Sequence, residues 1–171
     1  LGLVRLTSLS GSPVATGFQA ATLLWVKQQQ PHLWRQLHMA LLPKDYVRWR
    51  MTGELATDPS DGSGALLLDV HQRSWSPPML DLIGLDEAQL PAVRPSTAHA
   101  GVLHAQAAAE MGVAAGTPVV TGAADTACSA LGAGAVEAGT RLLTRSSGGQ
   151  LVPPIAEVRV DAHGRIRSVC S

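Results

Sequence analysis

Apolar positions recur along the chain in two periods, and each period predicts an element. After a turn-rich "SLSGSPVATG", the segment 18–30 ("FQAATLLWVKQQQ") places Ala21, Leu24, Trp25 and Gln28 at helical spacing and then meets Pro31. That is the pattern of an amphipathic helix with a stop. The run "HMALLP" is short, apolar and bounded by Pro43, which predicts a buried strand. "KDYVRWRMTGE" gives about two turns of helix ended by Gly53, with Tyr46, Val47 and Met51 as its inward positions.

The next segment changes character. Asp58, Pro59, Asp61, Gly62 and Gly64 are turn formers, and residues 65–70 form a strand-like apolar run. "WSPPMLDLIGL" predicts a helix with Ser76 as N-cap, Pro77 at its first position and Gly84 just past its end. "LDEAQLPAV" repeats the logic with Asp86 as cap and Pro91 as stop, and 104–111 is a third such helix closed by Gly112. "GTPVVTG" is the strand that follows. Helices alternating with buried strands favour an α/β sheet with covering helices.

From Gly139 onward the runs are short and β-like, "TRLLTRSSGGQLV" and "EVRVDAHGRIRSV", with His163 and Gly164 at the turn of an expected hairpin. A lobe boundary is therefore placed within 132–139, dividing the chain into 1–136 and 137–171.

Composition narrows the class. Of 171 residues, 46% are hydrophobic and only 15% charged, enough apolar side chain to offset the ordering entropy of a globular fold. Lys+Arg and Asp+Glu balance at 13 each without a basic block, so nucleic acid is not an expected partner. The longest apolar runs fall far short of the roughly 18–20 residues that span a bilayer. Cys128, Cys170 and six scattered histidines lack metal-ligand spacing, and a reduced cytoplasmic setting is expected. The chain opens at Leu1 and stops at "RIRSVCS", which reads as a fragment of something longer.

The stretch "PVVTGAADTACSALGAGAV" puts a single acid, Asp125, directly after a strand and before a helix-like run. In open α/β sheets ligands bind beyond the carboxyl ends of strands, and Gly122, Ala123 and Ala124 leave the approach clear of side chains. Two readings stand side by side on this local pattern. Asp is a good N-cap for the helix that follows. An isolated carboxylate also suits proton removal from an alcohol that attacks an electrophile, and phosphoryl transfer needs little more of a side chain, because positioning, Mg2+ and backbone donors stabilise its loose transition state. In "TRSSGGQ", the hydroxyls of Ser146 and Ser147 and the backbone at Gly148 could receive a phosphate, although a solvated hairpin turn has the same composition.

The linked series "PKDYVRWRMTGE", "TDPSDGSG", "LLLDVHQRSWS" and "GTPVVTGAAD", in that order, resembles the FGGY family of carbohydrate kinases over essentially the whole chain. The upstream "GFQAATLLWVKQQ" is similar too, with Thr22 where the family usually has Lys. The resemblance implies a two-lobed α/β architecture of the actin-like ATPase, ribonuclease H-like kind, with 1–136 in the sugar-binding lobe and 137–171 opening the nucleotide-binding lobe. It implies ATP and Mg2+ in the cleft and a small-molecule sugar as acceptor, D-xylulose first.

By the same resemblance Asp125 is the catalytic base and contacts the sugar together with Thr126. Ser146, Ser147 and Gly148 match the family's phosphate-contacting turn. Ala124 stands where the family usually has Gly, Thr126 where it has Asn or Gln, and Arg145 where it has Gly. A hydroxyl reaches less far than an amide, so the sugar is left open among xylulose, ribulose, gluconate and glycerol. The family's other phosphate loop and its adenine-binding segment would lie outside this stretch, so the piece alone is not expected to turn over ATP. A homodimer of the full-length protein stays open. A catalytically degenerate sugar- or nucleotide-binding relative and an actin-like scaffold are the competing classes.

The remaining stretches have structural readings. Lys44, Asp45, Tyr46 and Trp49 hold their helix against its neighbours, and Trp25, Trp34 and Trp75 are core or interface anchors. Asp58 and Asp61 serve a turn. His71 is structural, and Cys128 is a buried small hydrophobe.

Overall fold

A computed structural model describes residues 2–145, 148–161 and 163–170. Helix α1 (Leu3–Ser10) leads into α2 (Gln19–Gln29) and a single turn, α3 (Pro31–Trp34). Pro31 ends α2 as expected, and it also starts α3, because its fixed φ suits a first helical position. The inward face of α2 differs from the expected one. Ala20 and Leu23 pack on the core, while Leu24 and Trp25 stay exposed, Trp25 at 57%. The shift by one residue turns the helix by about 100°. It brings the Lys27 ammonium to 2.7 Å from the carbonyl of Ile83, where it meets an orphan acceptor at another helix end, and 5.2 Å above the Trp34 ring.

The expected strand at "HMALLP" is absent among the described residues; the segment is a link without regular structure. Its Ala40 is buried, and its amide donates to the carbonyl of Gln89 at 2.8 Å. Helix α4 (Pro43–Thr52) follows, closed as expected by Gly53 at φ +80. Its buried positions are Asp45 and Arg48 rather than Tyr46 and Val47, which are 47% and 54% exposed. An ionic pair has taken the inward face, and apolar periodicity cannot report that.

Strand β1 (Ala56–Thr57) leads to α5 (Pro59–Gly62), a 3₁₀ turn at Ser63–Ala65, and β2 (Leu68–Asp69). The run 65–70 is thus not one strand: Leu66 adopts φ +58 and breaks it. The apolar character is nevertheless used in full, since Leu66, Leu67, Leu68 and Val70 are all 2% exposed or less. Strand β2 pairs antiparallel with β3 (Ser74–Trp75), where the Trp75 indole donates to the carbonyl of Pro91 at 2.8 Å.

Helix α6 (Pro77–Ile83) ends at Gly84 as expected, but Ser76 occupies the N-cap without a side-chain bond to the helix. Asp86 and Gln89 form a reciprocal capping box on a 3₁₀ turn. Strand β4 (Ala92–Val93) runs parallel to β1, and β5 (His99–Val102) is followed by α7 (Ala105–Met111) and β6 (Pro118–Val120), which pairs antiparallel with β5. Last come α8 (Asp125–Gly132) and the antiparallel hairpin β7 (Leu142–Arg145) with β8 (Gly149–Val152).

The described sheet pairings are all two-stranded, and only β1 with β4 is parallel, so the single covered sheet expected from the pattern is not formed by these residues alone. The hairpin expected around His163 is a turn without strands among the described residues. Asp161 accepts there from the amides of His163 and Arg165 and from the Arg165 guanidinium at 3.1 Å, and the guanidinium bond leads in holding its carboxyl well below the usual range. Beyond it the chain returns to α1. Gly11 comes so close to the Ser168 carbonyl that a Cβ would stand 2.5 Å from it, and buried Cys170 donates its amide to Ser63 Oγ. No helix among the described residues is long and apolar enough to cross a membrane.

Beneath α4 lies an ionic group. Lys44 Nζ is 2.7 Å from Asp45 Oδ1 and 2.9 Å from Asp58 Oδ1, both acids having side chains at 0% exposure. Arg48 pairs with Asp45 at 3.0 Å and donates to the carbonyls of Thr121, at 2.5 Å, and Ala56. Three elements are joined by one guanidinium.

Two expectations follow. Leu68→Ala should destabilise the protein by about 2–5 kcal/mol in urea unfolding, whereas Trp25→Ala should change it by only about 0.5 kcal/mol. For Asp58, burial raises the carboxyl pKa, but hydrogen bonds from Ser60 and the Lys44 ammonium outweigh that and leave it lowered. A lowered folded pKa gives stability that is present above about pH 4 and lost as the pH falls through the folded value. Asp58→Asn should therefore cost about 1–3 kcal/mol at pH 7, with the gap to wild type narrowing toward pH 3 in thermal melts.

Candidate functional site

Strand β6 ends at Val120, and four residues of loop carry the chain to α8. Thr121 is buried, and its amide and hydroxyl both donate to the carbonyl of Ala98, at 2.9 and 3.2 Å. Gly122 takes φ +86, a conformation that favours glycine, and its amide donates to the carbonyl of Ser96 at 3.0 Å. A Cβ at Gly122 would meet nothing within 4 Å, so this face of the loop is open, as the run of small residues predicts. The Ala124 amide donates to Ser60 Oγ at 2.9 Å.

Asp125 is the first residue of α8, and Ala124 occupies the N-cap position. The capping reading of Asp125 is thereby corrected: its Oδ1 accepts from the amide of Thr126 at 2.6 Å and from Thr126 Oγ1 at 3.2 Å, the residue next to it. The carboxylate is exposed and lies at the positive end of the helix dipole. Thr126 and Asp125 are thus together, with the Thr126 hydroxyl turned to the acid. Cys128, one turn on, is exposed rather than buried. Helix α8 contains no buried residue, so its apolar face finds no cover among the described residues.

The acids read as turn formers also belong to this neighbourhood. Asp58, expected to serve a turn, is the N-cap of α5, accepting from the amide and hydroxyl of Ser60 at 2.8 and 2.5 Å, and it accepts from Ser96 Oγ at 2.9 Å as well. Burial is the leading cause that raises the Asp61 pKa. Lys44 opposes it, while the charges of Asp45, Asp58 and Asp125 add to the rise. Asp61 therefore lies within the field of Asp125. Sequence reading missed Ser60, which holds the amide directly ahead of the acid, and Lys44, which pairs with Asp58 behind it. Nothing in the local pattern joins Ser60 to a residue 64 positions later.

Among the described residues no group of three or more His, Cys, Asp or Glu side chains is placed to hold a metal ion. The acids beneath α4 are occupied by Lys44 and Arg48. Of the expected phosphate turn, Ser146 and Ser147 lie outside the described residues. Gly148 precedes β8 in the hairpin in which Arg145 stands opposite Gly149. His71, read as structural, has a ring nitrogen 3.2 Å from the carbonyl of Ser8.

Comparison with known proteins gives this geometry a context. Residues 3–132 match the model of the FGGY family of carbohydrate kinases, N-terminal domain. Xylulose kinase of Escherichia coli (strain K12) is 41% identical over 141 residues, which is 82% of this chain and 29% of that protein. Xylulose kinase of Bacillus subtilis (strain 168) is 35% identical over 95% of this chain and 32% of its own length. An autoinducer-2 kinase of Klebsiella pneumoniae is 34% identical over 85% of this chain and 27% of its own. Among solved structures, a xylulose kinase from Brucella ovis superposes with a TM-score of 0.81 at 37% identity, over 86% of this chain and 30% of that one. The chain spans about a third of the length of the relatives it matches, and its fold is that of the actin-like, ribonuclease H-like sugar kinases. It belongs to the FGGY family of carbohydrate kinases.

Proposed function

We propose that the protein carrying this chain transfers the γ-phosphoryl group of ATP to a sugar hydroxyl, with D-xylulose as the acceptor and Asp125 as the general base. The observation that carries the reading is the placement of Asp125: an exposed carboxylate at the start of α8, on a loop whose backbone is held at Thr121, Gly122 and Ala124. The acceptor oxygen attacks the γ-phosphorus, its proton passes to an Asp125 oxygen, and the bond from phosphorus to the ADP oxygen breaks. Charge develops on phosphoryl oxygens, so positioning and electrostatic stabilisation supply most of the catalysis. ATP enters as its Mg2+ complex, and no protein-held metal is assigned to the described residues.

Thr126 is the second sugar-facing residue in this reading. Its hydroxyl is short and already shared with Asp125, which favours a substrate that needs little from that position. Ser146, Ser147 and Gly148 are the phosphate-contacting turn of the second lobe, with the boundary between lobes at 136 and 137. The enzyme works in the cytoplasm on small molecules. The kinship with xylulose kinases supports D-xylulose, and the autoinducer-2 kinase similarity keeps other polyol-like acceptors in the assay. A degenerate, binding-only relative is the second reading, favoured by Arg145 and Thr126 at positions where the family carries Gly and an amide.

The test couples ADP release to a panel of ketoses, polyols and aldonates in the full-length protein. D-xylulose should give the highest kcat/KM, and Asp125→Asn should lower kcat by about 10²–10⁴-fold. Equal sugar-dependent rates in both proteins would remove Asp125 as the base. Sugar binding without ADP release in wild type would establish the binding-only reading.

A further inference from the structure

Resting on the reading of Asp125 as general base, we propose that Ser60 is a positioning residue for it: the Asp58–Ser60 pair holds the Ala124 amide and so fixes the backbone that delivers the acid. The loop cannot anchor itself. Gly122, Ala123 and Ala124 carry no side chain beyond a methyl group, so main-chain hydrogen bonds must hold it. Two do so directly ahead of Asp125, from Gly122 to the carbonyl of Ser96 and from Ala124 to Ser60 Oγ.

Both anchors converge on one carboxylate oxygen. Asp58 Oδ2 accepts from Ser60 Oγ at 2.5 Å, from the Ser60 amide at 2.8 Å and from Ser96 Oγ at 2.9 Å. A hydroxyl has one proton. With that proton committed to Asp58, the lone pairs of Ser60 Oγ are directed to the Ala124 N–H, and donation to a carboxylate strengthens the oxygen as an acceptor. The direction of both bonds is therefore fixed. Lys44, 2.9 Å from the other Asp58 oxygen, keeps the carboxylate charged. Ser60 is 3% exposed, which leaves little access for a water that could replace it.

Burial, first, and among lesser causes the charge of Asp125 raise the pKa of Asp61, the residue after Ser60, which accords with α5 lying behind the loop that Ser60 holds. The contact spans 64 residues and joins the "TDPSDGSG" turn to the segment after β6. Geometry at the reacting atoms is the quantity at stake, because a shift of about 1 Å can cost about 100-fold in rate.

The test uses the full-length protein and two readouts, kcat for ADP release at saturating sugar and hydrogen exchange at the Ala124 amide. Ser60→Ala should lower kcat per folded molecule by about 10- to 100-fold with the KM for ATP unchanged, and should speed Ala124 exchange. Ser60→Cys, which keeps the shape with a weaker acceptor, should fall between, and it carries the test if Ser60→Ala does not fold. Ser63→Ala is the control. Ser63 is buried in the same turn and donates to the carbonyl of Pro59, so its loss should lower stability and leave both readouts at wild-type values.

Wild-type kcat in the Ser60 variants overturns the proposal, whatever the exchange rate. An equal kcat loss in Ser63→Ala overturns it too, since the effect would then be general loosening. If wild type shows no sugar-dependent ADP release, the kinase reading fails by itself. Ala124 exchange then decides separately whether Ser60 holds the loop.

Discussion

One buried guanidinium sets the geometry on which the site depends. Arg48 reaches from α4 to the carbonyl of Ala56 in β1 and to that of Thr121 just past β6, while Asp45 on its own helix balances its charge. One of those carbonyls lies in β1 and the other directly after β6, and β1 and β6 do not pair with one another. The strand ends that frame the site are thus brought to a common position by a side chain, where a continuous sheet would have used ladder hydrogen bonds. Such an arrangement is demanding, because removal of either buried partner leaves the other charged and desolvated.

The neighbouring Lys44–Asp58 pair extends the same device toward the acid. Asp58 has three donors on one oxygen and an ammonium on the other. A buried carboxylate with that many partners is an organising centre, since each donor is oriented by it. The Ser60 and Ser96 hydroxyls are both among those donors, and Ser60 and Ser96 are also the residues to which the loop before Asp125 is attached. Structure and chemistry meet at this point: the charge pairs that stabilise α4 and α5 also determine where the exposed carboxylate stands.

The legible parts of the fold were those written in local chemistry. Gly53, Gly84 and Gly112 closed their helices in the left-handed conformation, Pro77 opened α6, and Asp86 with Gln89 made a capping box. Inward faces were less legible. Periodicity assigned Tyr46 and Val47 to the core, but Asp45 and Arg48 took it, where they form an ion pair. The six-residue strand at 65–70 gave way to a left-handed Leu66, which no apolar count foretells. At the site, a polar residue after β6 was readable from strand and small residues. Its support was not, since Ser60 meets the loop at Ala124 only through a contact 64 residues apart in sequence. Local pattern left cap and base side by side for Asp125, and the structure places Ala124, not Asp125, at the cap.

Whether Asp125 takes the proton of the attacking hydroxyl is tested most directly by a crystal structure of the full-length protein with D-xylulose and a non-hydrolysable ATP analogue. An Asp125 carboxylate oxygen should stand within about 2.6–3.2 Å of the hydroxyl that faces the γ-phosphate. A bound sugar whose reacting hydroxyl meets another acid or base, with Asp125 out of hydrogen-bond reach, would contradict it.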